Sequence, residues 1–194
     1  GSHPARQAIA AGLGIDVSEV RVIVPDVGGG FGAKGSIYAE DTVVAWAARH
    51  LGRPVRWVES RSESMIALGH GRGQRQEITI GGTRDGRILA YRLHVLQDAG
   101  AFPRMGAVLP FMTMAMASGV YDIPALEYES KSVVTNTTPV AAFRGAGRPE
   151  AAAAIERAVD LFAREIGLDP ADVRRRNFVG PERFPFANAT GTTY

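Results

Sequence analysis

The spacing of apolar positions changes character part-way along the chain. Up to about residue 70 the apolar residues recur mostly at helical intervals, and from Gln74 they alternate with a period of two. Pro4 to Leu13 reads as a short helix closed by Gly14, and Asp16 to Glu19 as a turn. Val20 to Val24 alternates and is rich in β-branched residues, which predicts a strand ended by Pro25. A helix is expected from about Ile37, with Ser36 as its N-cap and Ile37, Val44, Ala47, Ala48 and Leu51 along one stripe; Gly52 and Pro54 stop it. Val55 to Val58 predicts a further strand. Gln76 to Ile80 and Ile88 to Leu96 predict an antiparallel hairpin turning through Gly81-Gly82 and Arg84-Asp85-Gly86. Ala107 to Ser118, with Met112, Met114 and Met116, reads as a buried helix or irregular loop, and core packing is the plain reading of its methionines. Tyr128 to Thr135 is expected as a strand. Pro149 to Ile166 is the clearest helix, with Ile155, Val159, Phe162 and Ile166 on one face and Gly167 beyond its end. A short helix starts at Asp169-Pro170. The fold class that follows is α+β, a mostly antiparallel mixed sheet packed with helices.

Composition narrows the chemistry more than the fold. The 194 residues are 45% hydrophobic and 22% charged, enough for a core without disulfides. There is no cysteine, which excludes a thiolate metal site, an iron–sulfur cluster and a cysteine nucleophile within this stretch. The 22 basic and 20 acidic side chains leave a net charge of +2, and they alternate along the chain instead of gathering on one face, so a nucleic-acid partner is not expected. Arg174-Arg175-Arg176 falls at a helix end, where cations suit the macrodipole. No run approaches the roughly 20 apolar residues of a membrane span. Gly1-Ser2-His3 reads as an expression scar ahead of one unit over residues 4–194, and a cytoplasmic location is expected.

Two loops stand apart. Gly28 to Gly35 holds five glycines between a predicted strand and a helix, a density that a plain turn seldom needs and that suits backbone amides converging on an anion. Gly30-x-Gly32-x-x-Gly35 matches a dinucleotide fingerprint, and Glu59 lies about where a ribose-binding acid would. Yet Pro25 to Gly29 separates the fingerprint from its strand, and hairpins follow where further βαβ units should. Lys34, flanked by Ala33 and Gly35, does not fit a P-loop. The second loop, Ala142 to Glu150, again sets glycines at a helix start and adds Arg144 and Arg148. Arg144 could grip a phosphate bidentately; pairing of either arginine with acids such as Glu150 is the competing reading. Two such loops point to a large polyanionic ligand.

Pro25 to Lys34, Gly52 to Trp57 and Glu59 to Glu63, continued by Asp98 to Phe102, Tyr121-Asp122-Ile123, Ala142 to Ala151 and Glu182 to Phe186, resemble the molybdenum-cofactor-binding region of the xanthine dehydrogenase and aldehyde oxidase family. Within it the chain is most similar to the large subunit of aerobic carbon monoxide dehydrogenase and its relatives, in order over nearly its whole length. The resemblance implies the N-terminal part of a molybdenum-cofactor-binding domain, excised from a longer subunit and inactive alone. It implies a molybdopterin cofactor, in cytosine dinucleotide form, contacted by Gly29, Gly30, Phe31 and Gly32 in the first loop and by Arg144, Gly145 and Ala146 in the second. The metal would be held by the pterin dithiolene and not by protein ligands. The family's catalytic base is a glutamate beyond Tyr194, iron–sulfur clusters and FAD lie on partner subunits, and the reaction adds water-derived oxygen to a small carbonyl or heterocyclic substrate.

Three positions depart from the family's better-known members. Gly35 stands where purine oxidisers carry a substrate-binding glutamate, and Met112 where they carry an arginine; xanthine is a poor candidate. Gly145 stands where carbon monoxide oxidisers carry a copper-binding cysteine, which argues against that substrate. A Rossmann-type dinucleotide enzyme and a non-catalytic assembly module are the rival readings. Elsewhere, His50, His70 and His94 lack metal-ligand spacing, and Glu59 and Glu63 suit capping or pairing with Arg61 better than acid–base work.

Overall fold

The computed structural model describes residues 1–35 and 37–194 and divides into two compact units, Gly1–Gly69 and His70–Tyr194. The N-terminal unit contains α1 (Ser2–Leu13), α2 (Ala39–Leu51) and α3 (Arg61–Ala67). Gly14 closes α1 in the left-handed conformation that a side chain would resist. Asp16 and Glu19 form a capping box around the next turn, and Ser60 and Glu63 form another at the start of α3. Hydrogen bonds from the Ser60 amide and hydroxyl hold the Glu63 carboxyl below its ordinary value, so capping is the role of this acid. Helix α2 begins at Ala39 with Tyr38 at its N-cap position, two residues later than the apolar stripe predicts; Ser36 lies outside the described residues.

Two predicted strands are absent from this unit. Residues 20–24 and 55–58 are without a ladder, and Ile23, Val24 and Val58 are exposed. Alternation and β-branching favour an extended backbone, but a strand also needs a partner for its amides and carbonyls, and these segments have none among the described residues. Ala10 is the only buried hydrophobic side chain described in the unit, and Leu51, placed on the inner stripe by its spacing, is exposed.

The C-terminal unit holds β1 (Gln74–Gly82), β2 (Ile88–Asp98), α4 (Met105–Ala115), β3 (Ala125–Val133), α5 (Arg148–Ile166) and α6 (Pro170–Asn177). The sheet order is β1-β2-β3, with β1 antiparallel and β3 parallel to β2. The predicted hairpin is present, and the sheet is mixed in an α+β unit as expected. Ile88, Tyr91, Leu93 and Val95 on the inner face of β2 pack with Ala154, Ile155, Ala158, Val159 and Phe162 of α5. Burial of each large apolar side chain here is worth roughly 1.5–3 kcal/mol. The core-facing hydroxyl of Tyr91 has no hydrogen-bond partner among the described residues, and burial pushes its ionisation up. Met112, Met114 and Met116 are half-buried and not core; the fully buried positions of α4 are Gly106, Leu109, Pro110 and Thr113.

Polar contacts fasten the elements to one another. The buried Asn177 side chain accepts from the Ile88 amide at 2.9 Å and donates to the Gly86 carbonyl at 2.8 Å, locking the hairpin turn onto α6. Asp98, at the end of β2, accepts from the Gly100 amide at 2.8 Å and the Thr135 hydroxyl at 2.6 Å. These bonds, Thr135 first, hold its carboxyl below its ordinary value. The arginine run is a helix end woven into local pairs: Arg174 meets Glu156 and Asp160, and Arg175 meets Asp172. Of the histidines, His50 stacks on Trp46 and His94 lies 3.1 Å from Glu127. No described helix is long and apolar enough to cross a membrane.

Candidate functional site: two glycine loops

The first loop adopts a conformation built on reversed dihedrals. Gly29, Phe31 and Gly32 have φ of 115°, 50° and 93°. Phe31 is the costly member, since a non-glycine residue there carries strain of roughly 1–2 kcal/mol. A side chain at Gly29 would place its Cβ 2.8 Å from the Phe31 ring, so the glycine lets the ring fold back over the backbone. The loop closes through Lys34 N–H to the Gly30 carbonyl at 3.2 Å and Gly35 N–H to the Gly32 carbonyl at 2.9 Å. The Tyr38 hydroxyl donates to the Ala33 carbonyl at 2.5 Å and accepts from the Gly69 amide at 3.2 Å, tying the end of the loop to the end of α3. Among the described residues the amides of Gly29, Gly30 and Gly32 make no hydrogen bond. Unspent N–H groups in a reversed-dihedral loop form a nest suited to an anion or to a polar ligand edge.

The second loop is more strained. Gly145, Ala146 and Gly147 have φ of 104°, 43° and 88° in succession, directly before α5. A Cβ on Gly147 would lie 2.7 Å from Met112 Cβ and 2.8 Å from the Thr113 nitrogen, so α4 seats against the loop only because this residue is glycine. A Cβ on Gly145 would lie 2.5 Å from Pro149 Cγ. Ala146 N–H reaches the Phe143 carbonyl at 2.7 Å, and Arg148 N–H reaches Gly145 at 3.2 Å. The Arg148 guanidinium folds back onto the same Gly145 carbonyl at 3.1 Å and pairs with no acid among the described residues.

Glu150 is engaged elsewhere. Its side chain is only 5% exposed and meets Arg72 at 3.1 Å. The same guanidinium donates to the carbonyls of Phe143 at 3.3 Å and Arg144 at 2.6 Å and lies over the Phe143 ring at 5.3 Å. Arg72 itself sits at φ 71°, and a Cβ on Gly71 would lie 2.6 Å from Phe143 Cβ. Arg72 carries no motif of its own; the signal around it is the alternation Gly69-His70-Gly71-Arg72-Gly73, glycines dense enough to mark a close backbone approach.

Gly29, Gly30, Phe31 and Gly32 thus cluster in the N-terminal unit, and Arg144, Gly145 and Ala146 in the C-terminal unit, each set in a glycine-dependent loop beside a helix. Taken separately, the first loop offers N–H groups and an aromatic side chain, and the second an exposed arginine at a helix start, chemistry suited to a polar ring edge and to an anion respectively. The dinucleotide fold does not survive the structure. No ladder flanks Gly30–Gly35 among the described residues, and the sheet begins only at Gln74 with an antiparallel pair.

Residues 1–178 match the molybdopterin cofactor-binding domain, and the chain belongs to that family. Among curated proteins it is 40% identical to the nicotine 6-hydroxylase large subunit of Paenarthrobacter nicotinovorans, over 99% of this chain and 24% of the relative. It is 37% identical to the carbon monoxide dehydrogenase large chain of Hydrogenophaga pseudoflava, again over 99% of this chain and 24% of the other. The crystal structure of quinoline 2-oxidoreductase from Pseudomonas putida 86 superposes with a TM-score of 0.92 at 39% identity, covering 98% of this chain and 25% of that one. The chain therefore spans about a quarter of the length of these relatives. The assembly-module reading finds no support in these likenesses.

Proposed function

We propose that the chain is part of the molybdopterin-binding large subunit of a molybdenum hydroxylase that oxidises a nitrogen-containing aromatic ring, and that it does not oxidise carbon monoxide. The observation that carries the choice is the geometry at Gly145. Position 145 is glycine and offers no thiolate, and with φ of 104° and a Cβ position 2.5 Å from Pro149 Cγ a side chain there would be strained and would need the Pro149 ring to shift. Likeness to a nicotine hydroxylase and a quinoline oxidoreductase supports the ring substrate.

In this reading the amides of Gly29, Gly30 and Gly32 hold polar edges of the cofactor, the Phe31 ring shields them from water, and the Arg144 guanidinium neutralises phosphate charge. When bound, the molybdopterin supplies a redox centre that takes two electrons from the substrate carbon as a water oxygen is added. The cytosine dinucleotide form, iron–sulfur and flavin partner subunits and a cytoplasmic location complete the proposal. The proton-accepting glutamate belongs to a part of the subunit outside these residues.

The full-length subunit, matured with its partners, provides the test. Stoichiometric molybdenum and pterin, with ¹⁸O from labelled water appearing on a hydroxylated pyridine or quinoline ring, are expected. Molybdenum-free protein from a competent host, or copper-dependent oxidation of carbon monoxide, would overturn the reading.

A further inference from the structure

We infer that Arg72 is the positioning residue of the second glycine loop, a brace that fixes the backbone direction of Phe143 and Arg144; the inference rests on reading that loop as a cofactor contact. One planar guanidinium makes three kinds of contact at once. Nη2 donates to the Arg144 carbonyl at 2.6 Å, Nη1 donates to the Phe143 carbonyl at 3.3 Å, and the same Nη1 meets both carboxylate oxygens of Glu150 at 3.1 and 3.3 Å. A fork with donors fixed in one plane can hold these acceptors together, whereas an ammonium is a single point charge on a flexible stem.

The surroundings point the same way. Arg72 occupies a left-handed backbone conformation that a long side chain enters only at a cost, and strain of this kind persists where the neighbouring structure over-determines it. Gly71 is free of a Cβ where Phe143 comes closest, and Gly147 is free of one where α4 closes in from another side. The loop is thus held between two walls, with Arg72 supplying the polar contacts of one. Glu150, in the first turn of α5 and nearly buried, neutralises the brace. Two carbonyls drawn toward Arg72 set the orientation of the peptide planes from which the Gly145–Gly147 reversal begins, and so set where Arg144 emerges. Arg72 thereby acts on the cofactor contact through the loop and need not touch the ligand.

The experiment uses the full-length subunit in its assembled enzyme, with Arg72→Lys, Arg72→Met and Glu150→Gln. Arg72→Lys keeps a cation beside Glu150 but loses the fork. Hydrogen exchange at the Ala146 and Arg148 amides is expected to rise about tenfold in both Arg72 variants, with exchange at Leu93 and Val95 unchanged. The molybdenum EPR line shape is expected to shift in Arg72→Lys. Glu150→Gln leaves the two carbonyl contacts in place, so wild-type loop exchange and the wild-type spectrum are expected there. Wild-type exchange and spectrum in Arg72→Lys would overturn the inference and reduce Arg72 to an ion-pair partner. The exchange measurement needs no bound cofactor: a subunit that never carries molybdenum sinks the proposed function, while unchanged exchange sinks the brace.

Discussion

At single residues the decisive quantity is the room for one more carbon atom. Gly145 and Gly147 both have reversed φ and both lack space for a Cβ, but their obstacles differ: Pro149 for the first, the Thr113 nitrogen and Met112 of α4 for the second. Gly147→Ala therefore meets backbone that cannot swing aside. It is expected to lower stability by roughly 2–4 kcal/mol, adding strain to overlap, as read from the urea midpoint of the C-terminal unit. Tyr91→Phe should behave in the opposite way. It removes a buried hydroxyl that has no partner among the described residues and keeps the ring, so the same assay should show unchanged stability or a gain of up to about 1 kcal/mol. The glycines of both loops were visible in the sequence because reversed dihedrals demand a specific residue. Arg72 was not, since its importance lies in three acceptors brought to it from about 70 positions away.

Among elements, stability depends on a few polar joints between strands, helices and turns. Asn177 joins the β1–β2 turn to α6, and its replacement by alanine strands the Ile88 amide and the Gly86 carbonyl in a buried setting. A loss of roughly 2–4 kcal/mol in chemical denaturation is expected. Asp98 joins the end of β2 to residues 100 and 135, and its carboxyl is held below the ordinary value of 3.8 by those bonds. A depressed folded-state value means that its contribution is complete above about pH 4 and is lost as pH falls through the lower, folded value. Asp98→Asn should flatten the acid limb of a stability–pH curve in that window while barely altering its shape near neutrality. Helices α1 and α5, the hairpin and the cap at Asp169 were legible because local spacing and termination signals decide them. Residues 20–24 and 55–58 have the pattern of strands and form no ladder, because alternation reports a preferred backbone shape and not the existence of a neighbour to pair with.

For the molecule as a whole, the two units differ in how much they bury. The C-terminal unit contains the clustered core of β2 and α5, whereas the described N-terminal residues contribute Ala10 alone to the buried hydrophobic set. Amides in 1–69 are accordingly expected to exchange at least tenfold faster than those of β2 and α5 in this chain, and limited proteolysis should cut there first; equal protection in both units would contradict this account. The open backbone of residues 20–24 and 55–58 carries a physical hazard as well. Bare β-branched edges are templates for pairing between molecules, and a net charge of only +2 gives little mutual repulsion to keep copies apart. Light scattering from this 194-residue chain should therefore grow with protein concentration and with added salt, and a lysine placed at Ile23 should suppress it, as gatekeeper charges do along exposed edges.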